Sequence, residues 1–469
     1  MKIIGRIDEQ NELQQYVESE APEFIAVYGR RRVGKTFLIK EFFDNTFSFY
    51  ATGLDKAETT KQLSNFNSAL NKYGQIRYRT AKNWIESFEQ LIHLLEHSKT
   101  KKRKVIFIDE LPWLDTPRSG FITALEFFWN SWASSHPEIL LIVCGSATSW
   151  MINHLVKNKG GLHNRVTRRM QIEPFTLCEC ETFLQHKKIS MDRKSIVELY
   201  MIFGGIPFYL NMIEKKRSLP QNVDNLCFSK KGALKDEFSL LYASLFKNAV
   251  NHIKVIHALG KKTKGLTRSE ISKASKMQGG GLTTVLEELE QCGFIRKYKP
   301  FEKRAKCALY QLVDFYTLFH LRYVKTHGAN RNFWSSMTDN PQHRAWSGYA
   351  FEMVCLMHEY QIQQALGISG VLTETASWRS LETTPAAQID LVINRNDNVV
   401  NLCEIKYAKE LFTIDRKYAN TLIEKKNAFI KETKTRKAVH LTMITTFGVT
   451  FNEHFNNIQS SVVMDDLFK

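Results

Sequence analysis

The chain has 469 residues, 43% of them hydrophobic, with only 10 prolines and 23 glycines; this excludes a disordered chain and leaves room for three domains at ~100–200 residues each. Lysine and arginine total 65 against 48 acids, and the formal charge of +17 favours a polyanionic partner such as nucleic acid, or serves solubility alone. No apolar run approaches the ~18 residues of a membrane span. The start MKIIGRIDEQ shows no secretory signal, and the eight scattered cysteines include no C-x-x-C pair, so neither structural zinc nor a disulfide framework is expected and a reducing cytoplasm is.

In chain order, Gly5-Arg6-Ile7-Asp8-Glu9 leads into an amphipathic helix through Leu13 and Val17; this GR-x-x-E stretch would sit near an adenine, or is a plain capped helix. Phe24 to Tyr28 is a short apolar run, the pattern of a buried parallel strand. It runs into Gly29-Arg30-Arg31-Arg32-Val33-Gly34-Lys35-Thr36, a full match to G-x-x-x-x-G-K-[ST], and a helix from Phe37 follows. Gly29 and Gly34 permit backbone angles that side chains forbid. The loop amides and the helix start face a phosphate, Lys35 reaches the terminal phosphates, and Thr36 holds Mg²⁺. The motif's three arginines have no assigned role. Trp84 to Leu95 reads as a helix, and the basic run Lys99 to Lys104 as a solvated turn before a strand.

Val105 to Ile108 is that strand, ending in Asp109 and Glu110. Asp109 falls where a carboxylate holds Mg²⁺ through water, and Glu110 where a general base polarises attacking water. Ile139 to Cys144 is another buried strand; Ser146 beyond it, with Thr148 second, is the candidate γ-phosphate sensor, or a helix cap. Arg165, with Arg168 and Arg169 nearby, is the candidate finger across a subunit boundary, which would require a homo-oligomer; nucleic-acid phosphates or plain surface are the alternatives.

From Phe175 the pattern turns helical, with Gly204-Gly205 ending one helix and Pro207 starting the next, as in a lid packed on the nucleotide domain. Ile253 to Leu259, a T-x-x-E capping box at Thr267 and Glu270, a Gly279-Gly280-Gly281 turn, a helix from Leu282 to Cys292, and strands Phe294 to Tyr298 and Ala308 to Val313 follow the winged-helix order. The last helix would offer Thr283, Thr284 and Glu287 to DNA, and the hairpin Lys297, Lys299, Lys303, Arg304 and Lys306; Glu287, Glu288 and Glu290 oppose DNA, so a protein contact stays open.

A second chemical centre lies in the last third. A helix from Trp346 to Tyr360 carries Glu352, a strand from Gln388 to Ile393 carries Asp390, and, after a polar turn, a strand from Val399 carries Glu404 and Lys406. Residues two apart in a strand share a face, so Glu404 and Lys406 point together and Asp390 can lie beside them. Asp390, Glu404 and Glu352 are hard oxygen ligands for Mg²⁺, and Lys406 can orient water and offset charge on phosphate. This is the PD-(D/E)xK phosphodiesterase pattern; a non-cutting binding module is the alternative. Arg416 to Lys437, with Lys417, Lys425 and Lys426, reads as a basic helix along a DNA backbone.

GRRRVGKT, FIDE, LHNRVTRRMQIEPF, FGGIPFYL and QID…CEIKY together resemble a family of archaeal- and bacterial-type AAA+ ATPases related to STAND switch NTPases. The resemblance implies an α/β multidomain chain: a P-loop AAA+ core over 1–174, a helical lid over 175–249, a winged helix over 250–325 and a C-terminal PD-(D/E)xK nuclease-like domain over 335–469. It implies ATP and Mg²⁺ as cofactors, Lys35, Thr36, Asp109 and Glu110 as ATPase residues, and Asp390, Glu404 and Lys406 as nuclease-type residues. A family sensor would be Asn, where this chain has Ser146 or Thr148. The expected activity is ATP-dependent DNA binding and cleavage; the alternative is an ATP switch that signals through an inactive nuclease fold.

Overall fold

A computed structural model describes residues 2–98, 103–156, 160–162, 164–246, 248–301, 308–328, 330–338, 340–380, 382 and 387–469. The chain divides into two compact units, Met1–Pro174 and Phe175–Lys469.

The first unit is built on five parallel strands, β1 (Glu23–Tyr28), β2 (Phe49–Thr52), β3 (Lys104–Asp109), β4 (Ile139–Gly145) and β5 (Arg168–Gln171), in the order β2-β3-β4-β1-β5. β1, β3 and β4 are buried along their whole length, which is why they read as continuous apolar runs. One face of the sheet is covered by the helices Thr59–Tyr73, Trp84–Glu96 and Phe121–Ser131, whose Phe66, Trp84, Phe88, Phe121 and Phe128 form a continuous aromatic core. Parallel pairing puts the C-terminal ends of β1, β3 and β4 on one edge, and the loops that leave them carry the motif residues. β5 was not anticipated: the arginine-rich stretch forms an edge strand with only Met170 turned inward. Arg168 there pairs with Glu23 at 3.3 Å and lies over the Tyr16 ring, bracing the sheet edge.

The second unit holds two further sheets. β6 (Leu266–Thr267), β7 (Ile295–Tyr298) and β8 (Leu309–Leu312) form an antiparallel sheet in the order β6-β8-β7, below the helices Ala249–Leu259, Arg268–Ser275 and Gly279–Gln291. The capping box at Thr267 and Glu270 is present. The three glycines do not make a turn; they are the first residues of the helix Gly279–Gln291, carried into it by Leu282, Val285, Leu286 and Leu289, which bury one face. Much of the hairpin tip, with Lys303, Arg304 and Lys306, lies outside the described residues, as does most of the basic run from Lys99.

β9 (Thr373–Arg379), β10 (Gln388–Arg395), β11 (Val399–Lys406), β12 (Ala438–Thr445) and β13 (Ser460–Val463) form a mixed sheet in the order β13-β12-β11-β10-β9. β9, β10 and β11 are antiparallel, and β11, β12 and β13 are parallel. The helix Arg416–Thr433 makes the crossover that the parallel β11–β12 pair requires. Phe301, just after β7, is buried against Phe429 and Trp378 of this module, and its amide donates to the Ser377 carbonyl at 2.9 Å.

The helices expected to form a lid share a core with later segments of the second unit. Arg193–Phe203 packs on Phe315–Phe319 and on Pro341–Met357, and Tyr209, Tyr242 and Tyr316 are fully buried among them. Gly204, at φ +57°, ends Arg193–Phe203 where a Cβ would meet the Phe315 ring at 2.8 Å. The expected helix from Trp346 to Tyr360 is longer at its start and breaks at His358 into Pro341–Met357 and Glu359–Ala365. The break has a partner: His358 Nε2 accepts the Leu177 amide at 3.1 Å while Nδ1 donates to the Val354 carbonyl at 2.8 Å. Burial holds the pKa of His358 down at about 4, against 6.5 ordinarily. The folded chain thus prefers the neutral ring, so this contribution is complete above pH 6.5 and is lost as pH falls towards 4. Thermal unfolding followed across this pH range should show the second unit losing up to about 3 kcal/mol, since each tenfold change in proton affinity is worth ~1.4 kcal/mol, and His358→Gln should flatten that loss.

Candidate functional site

In the first unit Gly29 leaves β1 at φ +146°, where a Cβ would lie 2.2 Å from the Ile172 carbonyl oxygen, so no other residue fits. Gly34, at φ +93°, caps the helix Lys35–Phe42, whose first amides face the loop. Lys35 is buried, and its ammonium curls back to donate to the carbonyls of Gly29 (2.8 Å) and Arg30 (2.9 Å). Thr36 Oγ1 donates to Asp109 Oδ2 at 2.9 Å, although β4 separates their strands, because all three ends open on one edge. Asp109 Oδ1 accepts the Glu110 amide at 2.9 Å.

Glu110 takes a left-handed backbone, φ +45°, and accepts from Ser146 through its hydroxyl (2.8 Å) and its amide (3.3 Å). Ser146 is therefore placed on the carboxylate expected to act as the base. Thr148 is fully buried, and its hydroxyl has no hydrogen-bond partner among the described residues. Arg165 is exposed in the turn before β5. Sequence reading missed the structural use of Arg6. Its guanidinium donates to the Val33 carbonyl in the loop (3.2 Å) and to the Glu173 carbonyl (2.6 Å), and pairs with Glu9 at 2.9 Å. The GR-x-x-E spacing is thus an i, i+3 clasp that braces the loop.

In the second unit Glu352, Asp390, Glu404 and Lys406 come together. The register that pairs Leu391 with Cys403 and Val392 with Leu402, carried one step on, sets Asp390 across from Glu404. Glu404 is 2% exposed. It receives Lys425 in a close ion pair, Lys406 at 3.6 Å and the Tyr418 hydroxyl at 3.2 Å. Burial first, then the Glu404 charge, raises the pKa of Asp390, with Lys406 and Lys425 opposing. Burial and then Asp390 drive Glu352 up to about 8, partly offset by Lys406 and Lys264. Two half-buried carboxyls that disfavour each other's charge are of the hard-oxygen type that a divalent cation suits. Among the described residues, however, no three His, Cys, Asp or Glu side chains are grouped so that they could hold a metal ion. Glu404 is turned to lysine instead.

Lys425 thus points into this site and not along a nucleic-acid backbone. It and Tyr418 are seven residues, two helical turns, apart on Arg416–Thr433, a spacing that could have found them. On the helix Gly279–Gln291, Thr283 and Thr284 donate to their own helix carbonyls, and Glu288 accepts from His252 at 2.6 Å.

A parallel sheet with a P-loop at the end of β1 and paired acids after β3 defines a P-loop ATPase core. Residues 4–213 match the model of an ATPase domain predominantly from Archaea, so the chain carries an archaeal-type ATPase domain. An uncharacterized protein of Methanocaldococcus jannaschii is 23% identical over 411 residues, 86% of this chain and 87% of that protein. Among solved structures, a Walker-type ATPase of Pyrococcus abyssi is similar with a TM-score of 0.49 at 18% identity, covering 68% of this chain and 96% of its own. The ORC2 protein of Aeropyrum pernix, in ADPNP–ADP complexes, follows with a TM-score of 0.44 at 12% identity, covering 72% and 96%. No helix among the described residues is long and apolar enough to cross a membrane.

Arg6→Ala leaves the Val33 and Glu173 carbonyls without their guanidinium donor. It should destabilise the first unit by about 1–3 kcal/mol and weaken ADP binding, measured by thermal unfolding and by titration calorimetry.

Proposed function

We propose that the protein binds and hydrolyses ATP at the P-loop and uses it to control a PD-(D/E)xK phosphodiester site that acts on nucleic acid, DNA first. The observation that carries the ATPase half is the Thr36–Asp109 hydrogen bond, which joins the two motifs at one sheet edge. Lys35, released from its loop carbonyls, binds the terminal phosphates. Thr36 and Asp109 would hold Mg²⁺, which when bound withdraws charge from the phosphates. Glu110 takes the proton of the attacking water, and Ser146 fixes the direction of that carboxylate. Gly29 and Gly34 let the backbone approach the phosphates. The arginine finger Arg165 is kept as a proposal for a homo-oligomer.

The convergence of Glu352, Asp390, Glu404 and Lys406 supports the second half. Glu352, Asp390 and Glu404 would hold Mg²⁺, which when bound polarises the phosphodiester and acidifies its water. Lys406 orients that water and offsets charge on the phosphate. The three-helix segment with its antiparallel hairpin is read as a winged helix, and the +17 charge suits a nucleic-acid partner. One observation favours the second reading, an ATP switch with a silent nuclease fold: Lys425 already neutralises Glu404.

The two readings separate in one set of assays on single- and double-stranded DNA and RNA, with Mg²⁺ or Mn²⁺, with and without ATP. Glu110→Gln should retain ATP binding while turnover falls about 10²–10⁴-fold. Lys35→Ala should lose nucleotide binding. Asp390→Ala and Lys406→Ala should each abolish cleavage while ATP turnover stays at the wild-type rate. No cleavage by wild type on any of these substrates would leave the switch reading standing.

A further inference from the structure

A cleft of about 600 Å³ opens in the second unit between the helix Arg193–Phe203, the start of the helix Pro341–Met357 and the segment that follows β11. That volume lies in the range of sites for small organic ligands. Its floor is aromatic. Trp334 and Trp346 are 5% and 6% exposed, and both pack on the rings of Phe319 (4.9 and 5.9 Å) and Tyr323 (5.3 and 5.8 Å), which fixes them. The half-buried His343 ring lies 4.9 Å from Trp334, and burial holds its pKa below the ordinary value, so it joins the floor as a neutral ring. One wall is equally fixed. The Tyr407 hydroxyl donates to Glu198 Oε1 at 2.6 Å, and the Tyr407 ring packs on Phe351 at 5.5 Å.

The rim is cationic. Lys194, Arg344 and Lys409 line the cleft, and Glu198 is the one acid among the described residues that do. Glu198 is already taken by Tyr407 and by Lys194 at 3.9 Å. His343 and Arg344 also stand within the first turn of a 17-residue helix that has no acid there. A cation at that end meets the positive pole of the helix dipole, an arrangement unfavourable by itself, which an anion in the cleft reverses. A flat apolar ring suits the floor and a phosphate suits the rim. A nucleotide carries both.

We propose that the cleft binds one nucleotide unit, its base against the aromatic floor and its phosphate between Arg344 and Lys409. The unit is a free nucleotide or one residue of an unpaired strand. Stacking on aromatic rings tolerates any base, so the site reads no sequence. A strand has a path to it: Tyr407 directly follows Lys406, and Arg344 precedes Glu352 by eight residues (352 − 344) on one helix, about 12 Å at ~1.5 Å per residue. The cleft therefore flanks the carboxylate site but needs no metal and no cleavage there. It shares with the phosphodiester reading only the nucleic-acid partner, and it stands or falls separately.

The test uses the full chain with its P-loop filled by ADP and Mg²⁺. Binding of dTMP is followed by calorimetry, and binding of a fluorescein-labelled oligothymidylate by anisotropy. Arg344→Glu reverses a rim charge, and Thr338→Trp fills the cleft from an exposed lining position without changing charge. Arg77→Glu makes the same charge reversal at an exposed position of the first unit. Thermal unfolding checks that each variant is folded. Arg344→Glu and Thr338→Trp should each weaken binding roughly tenfold, while Arg77→Glu matches wild type. If dTMP follows this pattern, the cleft takes free nucleotides; if only the oligothymidylate does, it takes a strand residue. No binding of either probe to wild type, binding indifferent to Arg344→Glu or to Thr338→Trp, or an equal loss in Arg77→Glu overturns the nucleotide cleft and leaves the phosphodiester reading to its own cleavage assays.

Discussion

The parallel order of the first sheet is the constraint on which the nucleotide site depends. With β1 flanked by β4 and β5, and β3 beyond β4, three strand ends open on one edge. That edge brings Thr36 within 2.9 Å of Asp109, 73 positions along the chain, and sets Ser146 against Glu110. In an antiparallel arrangement the end of β4 would lie at the opposite edge, and Ser146 could not reach Glu110. The aromatic core beneath the sheet holds the strands level, so a few tenths of an ångström at the strand ends are set by packing far below them.

The second unit solves a different problem, which is how to keep three carboxyls together in a poorly solvated place. Charge is the expensive quantity there. Glu404, the most buried of the three, takes two lysines and a tyrosine hydroxyl. The pKa values of Asp390 and Glu352 are raised, first by burial and then by a neighbouring acid, Glu404 for the one and Asp390 for the other. The two lysines come from β11 and from the helix Arg416–Thr433, so the charge balance of the site also ties that helix to the sheet.

The parts of this arrangement legible in the sequence were those written in consecutive residues. The glycine loop, the strand ending at Asp109 and the E-x-K strand are local patterns, and each stands where its residues predict. Short, edge or irregular pieces were not legible. β6 has two residues, β9 follows no clear alternation, and β5 is an edge strand whose arginines suggest surface. The three glycines before Leu282 obeyed the wrong rule, because a buried helical face outweighed their low propensity. Lys425, Tyr418 and Arg6 were not assigned their roles, since what makes each of them matter is a partner elsewhere in the sequence, 21, 14 and 27 positions away at Glu404, Glu404 and Val33 (425 − 404, 418 − 404 and 33 − 6).

The two centres share one device. In each, lysine ammoniums lie on oxygen atoms of the protein itself: Lys35 on the Gly29 and Arg30 carbonyls, Lys425 and Lys406 on Glu404. An ammonium held this way has fewer donors left for a phosphate, so tight phosphate binding at the P-loop exchanges partners for Lys35 rather than simply adding a contact. The exchange costs less than moving a bare charge into the site, because the outgoing oxygen is replaced by another oxygen of equal or greater charge. It also makes each centre selective. A neutral ligand offers Lys35 nothing better than the carbonyls it already has, whereas a phosphate does; a lysine that leaves the buried Glu404 carboxylate instead strands its charge. Phosphate is therefore favoured at the P-loop by what Lys35 gives up, while at the second centre Lys425 and Lys406 are held by a full carboxylate charge that a ligand has to match.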